Sequence, residues 1–241
     1  MSSSEKIYGV MITGKDATHE TFARLSAKSF LEQTYPNKKL LVINDGEYSL
    51  SDLSGDELEE IHVDNSTKKL RLGGLRNIAF EHIPTDAPWV QWDDDDWRHP
   101  NLLETQYGHM VETGHKYCLL KYQIRYYFDI NHARNFRARN RGVWGTIMSY
   151  NMGLRYENWK TREDTTFVKR LGKKNRSVVL SPPHYYIRFI HGNNTWPTSH
   201  FMGSAPKRVG IFKDTHRDNW DIDEDGKDYL KKILPLYEFQ K

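Results

Sequence analysis

Four consecutive aspartates, Asp93 to Asp96, follow the apolar and aromatic run "APWVQW". Carboxylates this close raise one another's pKa values, and a divalent cation relieves the repulsion because it favours the ionised forms. The run therefore predicts a site for Mn²⁺ or Mg²⁺. The alternative is an acidic surface turn or the start of a helix, where aspartate caps free backbone N–H groups.

The elements before the run predict where it lies. Ile7–Thr13 is an apolar, β-branched stretch typical of a buried strand, "THETFARLSAKSFLEQ" has helical spacing, and a second apolar strand ends at the turn Asn44-Asp45-Gly46. This order predicts a parallel βαβ unit. A further helix, "LRLGGLRNIAFEHI", leads into the strand "PWVQWD". Ligands of open α/β sheets bind at the carboxyl ends of the strands, so Asp45 and the aspartate run are expected at one edge.

Alternation along a regular strand would separate the aspartates. Asp93 and Asp95 would then point to one face and Asp94 to the other, so all four could not bind one ion. We expect Asp95 to be the direct ligand and Asp96 to have a structural or helix-capping role.

The second half of the chain has a different pattern. Two longer strands are predicted within residues 116–130 and 141–154, joined by the polar segment "NHARNFRARNR" at 131–141. A helix is expected over Glu163–Leu171, strand structure returns after Arg176, and the charged C-terminal segment ends in a short amphipathic helix. This half is expected to be mixed or antiparallel.

Composition limits the class of protein. The 241 residues carry a formal net charge of +3, which does not by itself indicate a nucleic-acid-binding protein. The single cysteine, Cys118, excludes an intramolecular disulfide and a cysteine-rich zinc site. Neither a signal segment nor a run of about 18 apolar residues is present, so we expect a soluble protein of a reducing, cytoplasmic compartment.

Three blocks of the sequence resemble family-2 glycosyltransferases. They are "GVMITGKDATHETFARLSAKSFLEQTYPNKKLLVINDGE", "LRNIAFEHIPTDAPWVQWDDDDWRHPNLL" and "REDTTFVKRL", in the family's order and at its approximate spacing. The resemblance implies an α/β GT-A fold, with a mixed but mainly parallel central sheet flanked by helices and a smaller antiparallel portion in the second half. We expect one domain over 1–241, with a nucleotide-binding half (7–100), an acceptor-binding half (101–200) and a charged tail (201–241).

The resemblance also implies a chemistry. The protein would transfer a sugar from a nucleotide-diphosphate donor, most often a UDP-sugar, to an acceptor hydroxyl with inversion, and Mn²⁺ or Mg²⁺ would neutralise the leaving diphosphate. By this resemblance the candidate metal ligands are Asp95, Asp93 and His191. The candidate nucleotide-binding residues are Thr13, Asn44, Asp45, Arg76, Asp93 and Asp94.

Within that set, Asp45 matches the carboxylate that accepts the uracil N3–H in uridine-using members. Asn44 departs from the family, which has a first aspartate at this turn. Arg76 matches an arginine that approaches the base or the phosphates, and one of Asp93 and Asp94 would contact the ribose or metal-bound water. An exposed helical arginine and a polar strand-end turn are the structural alternatives.

The pair Glu163–Asp164 matches the family's catalytic acids. By analogy, Asp164 is the general base and Glu163 orients the acceptor. The alternative is a helix start, since Thr161 makes "TRED" an acceptable capping box. His191 could instead be a packed histidine, and Arg188 is a candidate phosphate contact. The tryptophans considered for stacking on sugars, otherwise core residues, are Trp144, Trp159 and Trp196.

Two other functions remain open from the sequence. A sugar-phosphate nucleotidyltransferase would also use strand-end carboxylates and Mg²⁺, with "TGKDATHE" as its phosphate loop. A non-enzymatic protein would use the basic segment 131–141 to bind nucleic-acid phosphates. Our preferred interpretation of that segment is a loop over the active site that orders when nucleotide binds.

Overall fold

The fold is described from a computed structural model that covers residues 5–14, 17–53, 55–138, 142–192, 194–195 and 219–240. In chain order its strands and α-helices are β1 (Ile7–Thr13), α1 (Ala17–Leu31), β2 (Lys38–Asn44), β3 (Leu58–His62), α2 (Asn65–Lys68), α3 (Leu72–Glu81), β4 (Pro88–Gln91), β5 (Trp97–Arg98), α4 (Leu102–Thr113), β6 (Tyr117–Leu120), β7 (Tyr122–Tyr127), β8 (His132–Arg137), β9 (Met148–Tyr150), α5 (Glu163–Leu171), β10 (Arg176–Val179), β11 (Tyr186–Ile190), β12 (Asn219–Trp220) and α6 (Glu224–Ile233). Short 3₁₀ segments occur at Ser51–Leu53, Phe128–Ile130, Trp144–Thr146, Pro183–Tyr185 and Leu234–Gln240.

The larger sheet confirms the predicted mixed, mainly parallel architecture. Its strand order is β10-β6-β9-β4-β1-β2-β3. β1 pairs in parallel with both β2 and β4, β2 pairs in parallel with β3, and β6 pairs in parallel with β10. Only β9 is antiparallel to its neighbours, β4 and β6. The carboxyl ends of β2, β1 and β4 therefore lie side by side, as expected from the βαβ pattern.

Helices cover both faces of this sheet, which explains why its strands are continuously apolar. Along β2, Leu40 and Val42 pack in the cluster that contains Phe30 of α1. Leu41 and Ile43 pack in the cluster that contains Phe80 of α3. Side chains alternate between the two faces of a strand, so a run without polar residues requires a layer of helix on each side.

The smaller sheet confirms the predicted antiparallel portion, although its strands differ from those expected. Its order is β12-β8-β7-β11-β5, and only β7 and β11 run parallel. The predicted strand over 116–130 is divided at Lys121, so that β6 joins the larger sheet and β7 the smaller one. The predicted strand over 141–154 contains only β9, which follows a 3₁₀ turn.

The expectation that 131–141 is a polar loop is wrong for most of that segment. Residues 132–137 form β8, which pairs with β7 in the register Tyr122↔Arg137 to Tyr127↔His132. Asn131 adopts a left-handed conformation that closes the hairpin. The guanidinium of Arg125 in β7 lies 3.6 Å from the centroid of the Phe136 ring, so an arginine of the neighbouring strand covers the aromatic ring of β8. Residues 139–141 lie outside the described residues.

The C-terminal helix α6 confirms the expected amphipathic helix. Its Leu230 and Ile233 are buried against the smaller sheet, and the Asp223 carboxylate caps its first turn by accepting from the Gly226 N–H at 2.8 Å. Among the described residues, none of the helices combines the length and the apolar character needed to cross a bilayer.

Candidate functional site

A cavity of about 340 Å³ opens at the carboxyl edge of the larger sheet. Thr13 ends β1, Asp45 follows β2 and Gln91 ends β4, and all three line it. The cavity also collects most of the residues predicted from the sequence, whereas Asn44 and His191 are not part of its lining. The predicted residues that line it are Thr13, Asp45, Arg76, Asp93, Asp94, Asp95, Glu163, Asp164 and Arg188.

The four aspartates do not continue the strand, so the expectation based on strand alternation is wrong. β4 ends at Gln91, and Asp94 and Asp95 form a turn before β5 begins at Trp97. Two side chains fix the backbone of the run: the Asp93 carbonyl accepts hydrogen bonds from the Ser26 hydroxyl at 2.9 Å and from Arg98 Nη1 at 3.2 Å. Each carboxylate consequently faces different partners.

The Asp93 carboxylate lies close to two arginines, Arg76 and Arg188. Its Oδ1 accepts from Arg76 Nη2 at 3.1 Å and from Gln91 Nε2 at 2.9 Å, and its Oδ2 is 3.8 Å from Arg188 Nη2. Asp94 turns toward β1, where its Oδ2 accepts from the Thr13 hydroxyl at 2.8 Å. Thr13 therefore supports Asp94 and is also part of the cavity wall.

Asp95 faces the end of β11. Its Oδ2 accepts from Asn194 Nδ2 at 2.9 Å and lies 3.4 Å from His191 Nε2. His191 is only 3% exposed, and its ring stacks on Phe22 with 4.5 Å between the centroids. His191 thus has the packing role that the sequence left open, while one edge of its ring reaches Asp95.

Asp96 is fully buried and outside the cavity lining. It accepts hydrogen bonds from the Tyr186 hydroxyl and, at 3.1 Å, from the Phe189 N–H, and these bonds attach the turn to β11. Burial, with the charge of Asp95, raises the pKa of Asp96 to about 7. This geometry supports the structural role expected for Asp96.

Arg76 connects the start of α5 with the aspartate run. Its Nη1 donates to Glu163 Oε1 at the start of α5, while its Nη2 donates to Asp93. Burial alone would lower the pKa of Arg76, but Glu163 and the other nearby acids raise it above its ordinary value. For Glu163, which is 4% exposed, burial outweighs the effect of Arg76 and raises the pKa of the carboxyl. Arg76 is therefore not the exposed helical arginine of the structural alternative.

Helix α5 begins without the capping box that was the structural alternative for Glu163 and Asp164. Its N-cap is Arg162, no side chain caps the first turn, and Thr161 lies one residue further out. Arg162 has φ 66°, a left-handed conformation that costs a non-glycine residue about 1–2 kcal/mol. The Asp164 carboxylate accepts a hydrogen bond from the N–H of the next residue, Thr165, at 2.5 Å. Asp164 also lines the cavity, so its carboxylate is accessible to a ligand.

Asn44 and Asp45, neighbours in the turn after β2, have different roles. The amide of fully buried Asn44 donates to the Tyr48 carbonyl at 2.7 Å and to Glu60 at 2.8 Å, and its oxygen accepts from Gly46 N–H at 2.9 Å. Asn44 therefore holds the turn. Asp45 lines the cavity and accepts from Asn65 Nδ2 at 2.9 Å.

Gly46 makes this turn possible. A Cβ at Gly46 would lie 2.2 Å from the Gly14 carbonyl oxygen, and Gly14 itself has φ +133°. The two chain segments meet backbone to backbone at the mouth of the site, which only glycine permits.

The tryptophans lie in different places. Trp144 packs against the core cluster on the α3 side of the larger sheet, whereas Trp159 is 49% exposed beside the cavity residue Lys160. Trp196 lies outside the described residues.

Several residues of the site were not found by sequence reasoning. The cationic residues Arg71, Lys160 and Arg162 line the cavity, and Asn194, Asn65 and Gln91 orient its carboxylates. Proximity of Arg162 to the acidic pair Glu163–Asp164 was an available signal. Asn65 and Asn194 had none, because their partners Asp45 and Asp95 are 20 and 99 positions away in the chain.

The donor atoms at this edge fit a hard divalent cation, which prefers carboxylate oxygen and also accepts imidazole. Asp93, Asp94 and Asp95 line the cavity, and the 3.4 Å between Asp95 Oδ2 and His191 Nε2 is short enough for one ion to contact both. Over the described ranges, however, no three histidine, cysteine or acidic groups form a ready ligand set. A cation here would take its remaining ligands from water or from a bound substrate, as Mg²⁺ commonly does.

Solved structures with the same fold include two glycosyltransferases. The structure of TarS 1–349 from S. aureus in complex with UDP-GlcNAc is 14% identical, with 95% of this chain and 66% of that chain covered and a TM-score of 0.58. The mannosyltransferase PcManGT from Pyrobaculum calidifontis, in complex with GDP-Man and Mn²⁺, is 10% identical, with 80% and 59% covered and a TM-score of 0.57. At these identities the likeness establishes the fold alone.

The chain spans 60% of the length of another TarS 1–349 structure. No curated protein sequence matches it. The model of the family described as glycosyl transferase family 2 matches residues 18–188, which is more than half of the chain and contains the turn at Asp45, the aspartate run and the start of α5. The chain therefore belongs to glycosyl transferase family 2 and has the GT-A fold.

Proposed function

We propose that this protein transfers a sugar from a nucleotide-diphosphate donor, a UDP-sugar, to an acceptor hydroxyl with inversion of the anomeric centre. One observation carries the proposal: a single cavity contains Asp45, the carboxylates Asp93–Asp95 and Asp164. These are the groups needed to recognise a nucleoside, to bind a metal diphosphate and to remove a proton.

The donor would lie along the sheet edge. Asp45 can accept the N3–H of uracil from its position after β2, and Thr13 forms the neighbouring wall. Asp95, with Asp93 and His191, would hold Mn²⁺ or Mg²⁺. A bound divalent ion would neutralise charge on the departing diphosphate. The UDP-GlcNAc and GDP-Man–Mn²⁺ complexes of the two structural relatives support a nucleotide-sugar donor and a divalent ion.

Two arginines would complete the diphosphate site. Arg188 Nη2 is 3.8 Å from Asp93, and Arg76 is held between Asp93 and Glu163. Since Glu163 is buried against Arg76, we assign it to positioning that guanidinium rather than to direct contact with the acceptor. Arg76 thereby transmits the position of α5 to the donor side of the cavity.

Asp164 would act as the general base. The acceptor oxygen attacks the anomeric carbon, its proton passes to the Asp164 carboxylate, and the bond from that carbon to the diphosphate oxygen breaks with the electron pair leaving on the nucleoside diphosphate. Attack opposite the leaving group inverts the anomeric centre. Residues 7–100 would thus supply most of the donor site, which Arg188 and His191 complete, and residues 101–200 would supply the base on the acceptor side.

Calorimetric titration with UDP, GDP and dTDP, each with and without Mn²⁺, tests the donor site. We expect UDP to bind most tightly and the affinity to rise with Mn²⁺. Asp95→Asn should remove the metal-dependent part and leave the unfolding midpoint unchanged. Binding of none of the three diphosphates, or binding that ignores both Mn²⁺ and Asp95, would refute the proposal.

A further inference from the structure

A group of three cationic side chains lies at one lip of the cavity. Arg71, Lys160 and Arg162 all line it, and all three are exposed. They come from two chain segments, the residue before α3 and the loop before α5. We call them the basic lip.

The two segments are locked together by backbone contacts. The Arg71 N–H donates to Asn158 Oδ1 at 2.7 Å, and the Gly73 N–H donates to the Trp159 carbonyl at 3.1 Å. A Cβ at Gly73 would lie only 1.8 Å from the Glu157 carbonyl oxygen, so the loop sits directly on the helix start. The basic lip is therefore assembled by close packing and not by chance approach of long side chains.

The side chains of the basic lip have no direct ion-pair partner among the described residues. The nearby Arg170 differs, because its Nη1 lies 3.1 Å from Glu157. Three like charges at one opening repel one another, and a bound anion would relieve that repulsion.

Two of the three cations lie next to the proposed base in the sequence. Lys160 and Arg162 precede Asp164 by four and two residues, and all three residues line the same cavity as the aspartates of the run. A molecule that presents a hydroxyl to Asp164 would therefore lie close to these cations.

We propose that the basic lip binds a negatively charged group on the acceptor, so that the acceptor class is a carbohydrate or polyol carrying phosphate or carboxylate. This inference rests on the proposed function and specifies its acceptor. The anion stays bound to Arg71, Lys160 and Arg162 while a hydroxyl of the same molecule reaches Asp164.

Matched acceptor pairs test the inference. Release of UDP from UDP-GlcNAc, and of GDP from GDP-Man, is followed with glycerol against glycerol 3-phosphate, glucose against glucose 6-phosphate, and galactose against galacturonate. We expect kcat/KM for the charged member to be roughly tenfold higher, as charge-assisted hydrogen bonds would give, and to fall with added salt. In Lys160→Gln/Arg162→Gly the preference should disappear, while Lys173→Gln/Lys174→Gln, an exposed pair outside the cavity, should keep it.

Sulfate provides a probe that needs no turnover. Titrated into the complex with UDP and Mg²⁺, it should bind to the wild type and lose roughly tenfold in affinity in Lys160→Gln/Arg162→Gly, through lost charge-assisted hydrogen bonds. UDP affinity should change by less than about twofold, which is within the effect of remote surface charge. Equal sulfate binding by both proteins, or equal use of neutral and charged acceptors, would overturn the inference. Loss of UDP affinity in the variant would also overturn it, by placing the cations on the donor.

Arg162→Gly separates binding from folding. Because Arg162 has a positive φ, glycine should relieve backbone strain, and the unfolding midpoint should stay the same or rise. A fall in the midpoint together with lost sulfate binding would indicate that the side chain is structural. Failure of UDP to bind the wild type would instead count against the proposed function, whereas sulfate binding can be measured without UDP.

Discussion

Arg76 and Glu163 form a buried ion pair that joins α3 to α5 across 87 positions of sequence. The same guanidinium reaches Asp93, so the pair links the start of the acceptor-side helix to the aspartate run. Motion of α5 relative to the sheet would therefore disturb the donor side of the cavity.

Removing one partner of this pair should cost more than removing both. Arg76→Gln leaves the Glu163 carboxylate buried without its cation, and we expect a loss of about 3 kcal/mol in the free energy of unfolding. Arg76→Gln/Glu163→Gln should recover part of that loss. Urea unfolding of the wild type, both single variants and the double variant measures the coupling energy. Additive effects of the two substitutions would show that the pair does not couple the helices.

Asp164→Asn should separate chemistry from binding. The amide cannot accept the acceptor proton, so we expect turnover to fall by about 10²- to 10⁴-fold. UDP affinity, measured by calorimetry, should remain that of the wild type because Asp164 is assigned to the acceptor and not to the donor. Asp86→Asn, outside the cavity, serves as the control. Unchanged turnover in Asp164→Asn would exclude this residue as the base.

Substitutions of Asp45 and Asn44, neighbours in the turn after β2, should affect different properties of the protein. Asp45→Ala removes a carboxylate from the cavity wall, and we expect uridine nucleotides to bind about tenfold more weakly with little change in stability, as for a lost charge-assisted hydrogen bond. Asn44→Ala removes the amide that holds the turn, which should lower the free energy of unfolding by about 1–3 kcal/mol. Calorimetry and urea unfolding of both variants decide between these roles. Equal loss of affinity in the two would mean that Asn44 also contacts the nucleoside.

His99, which does not line the cavity, is expected to make the stability of the fold sensitive to acid. The His99 ring stacks on Tyr185 with 4.4 Å between the centroids, and its Nδ1 accepts from the Asn101 N–H at 3.1 Å. Burial, with the neighbouring His184, lowers the pKa of His99 to about 4. The folded state thus favours the neutral ring.

The neutral ring contributes stability that is present above pH ~6.5, the ordinary histidine pKa, and is lost as the pH falls toward 4. Since the ring is only partly buried, we expect the loss to be about 1 kcal/mol. Urea unfolding at pH 7 and at pH 4.5, for the wild type and His99→Gln, measures it. The variant should lose less stability than the wild type between the two conditions, and an equal loss would rule out His99 as the sensitive group.

Local patterns in the sequence were sufficient for the parallel part of the larger sheet. The continuously apolar stretches at Ile7–Thr13 and Leu40–Ile43 predicted strands buried on both faces, and the polar turns after them predicted the edge where the cavity lies. Such patterns depend on the two-residue period of a strand and on nearby turn residues, so they can be read without knowing distant contacts. The three blocks that resemble family-2 glycosyltransferases also predicted the order in which the acidic site residues occur along the chain.

Tertiary structure decided what those residues contact. The sequence could not show that the chain leaves β4 at Gln91, after which Asp93, Asp94 and Asp95 face Arg76, Thr13 and Asn194 respectively. Nor could it show that 132–137 is a strand, because that depends on its pairing with β7 and on the packing of Arg125 of β7 over Phe136. Each of these outcomes depends on the path of a loop between elements far apart in sequence, and hydrogen bonds at that range leave no periodic signal. The sequence determined by itself the parallel part of the larger sheet and its acidic edge, and the packing of loops on helix starts determined the partners of the acidic residues.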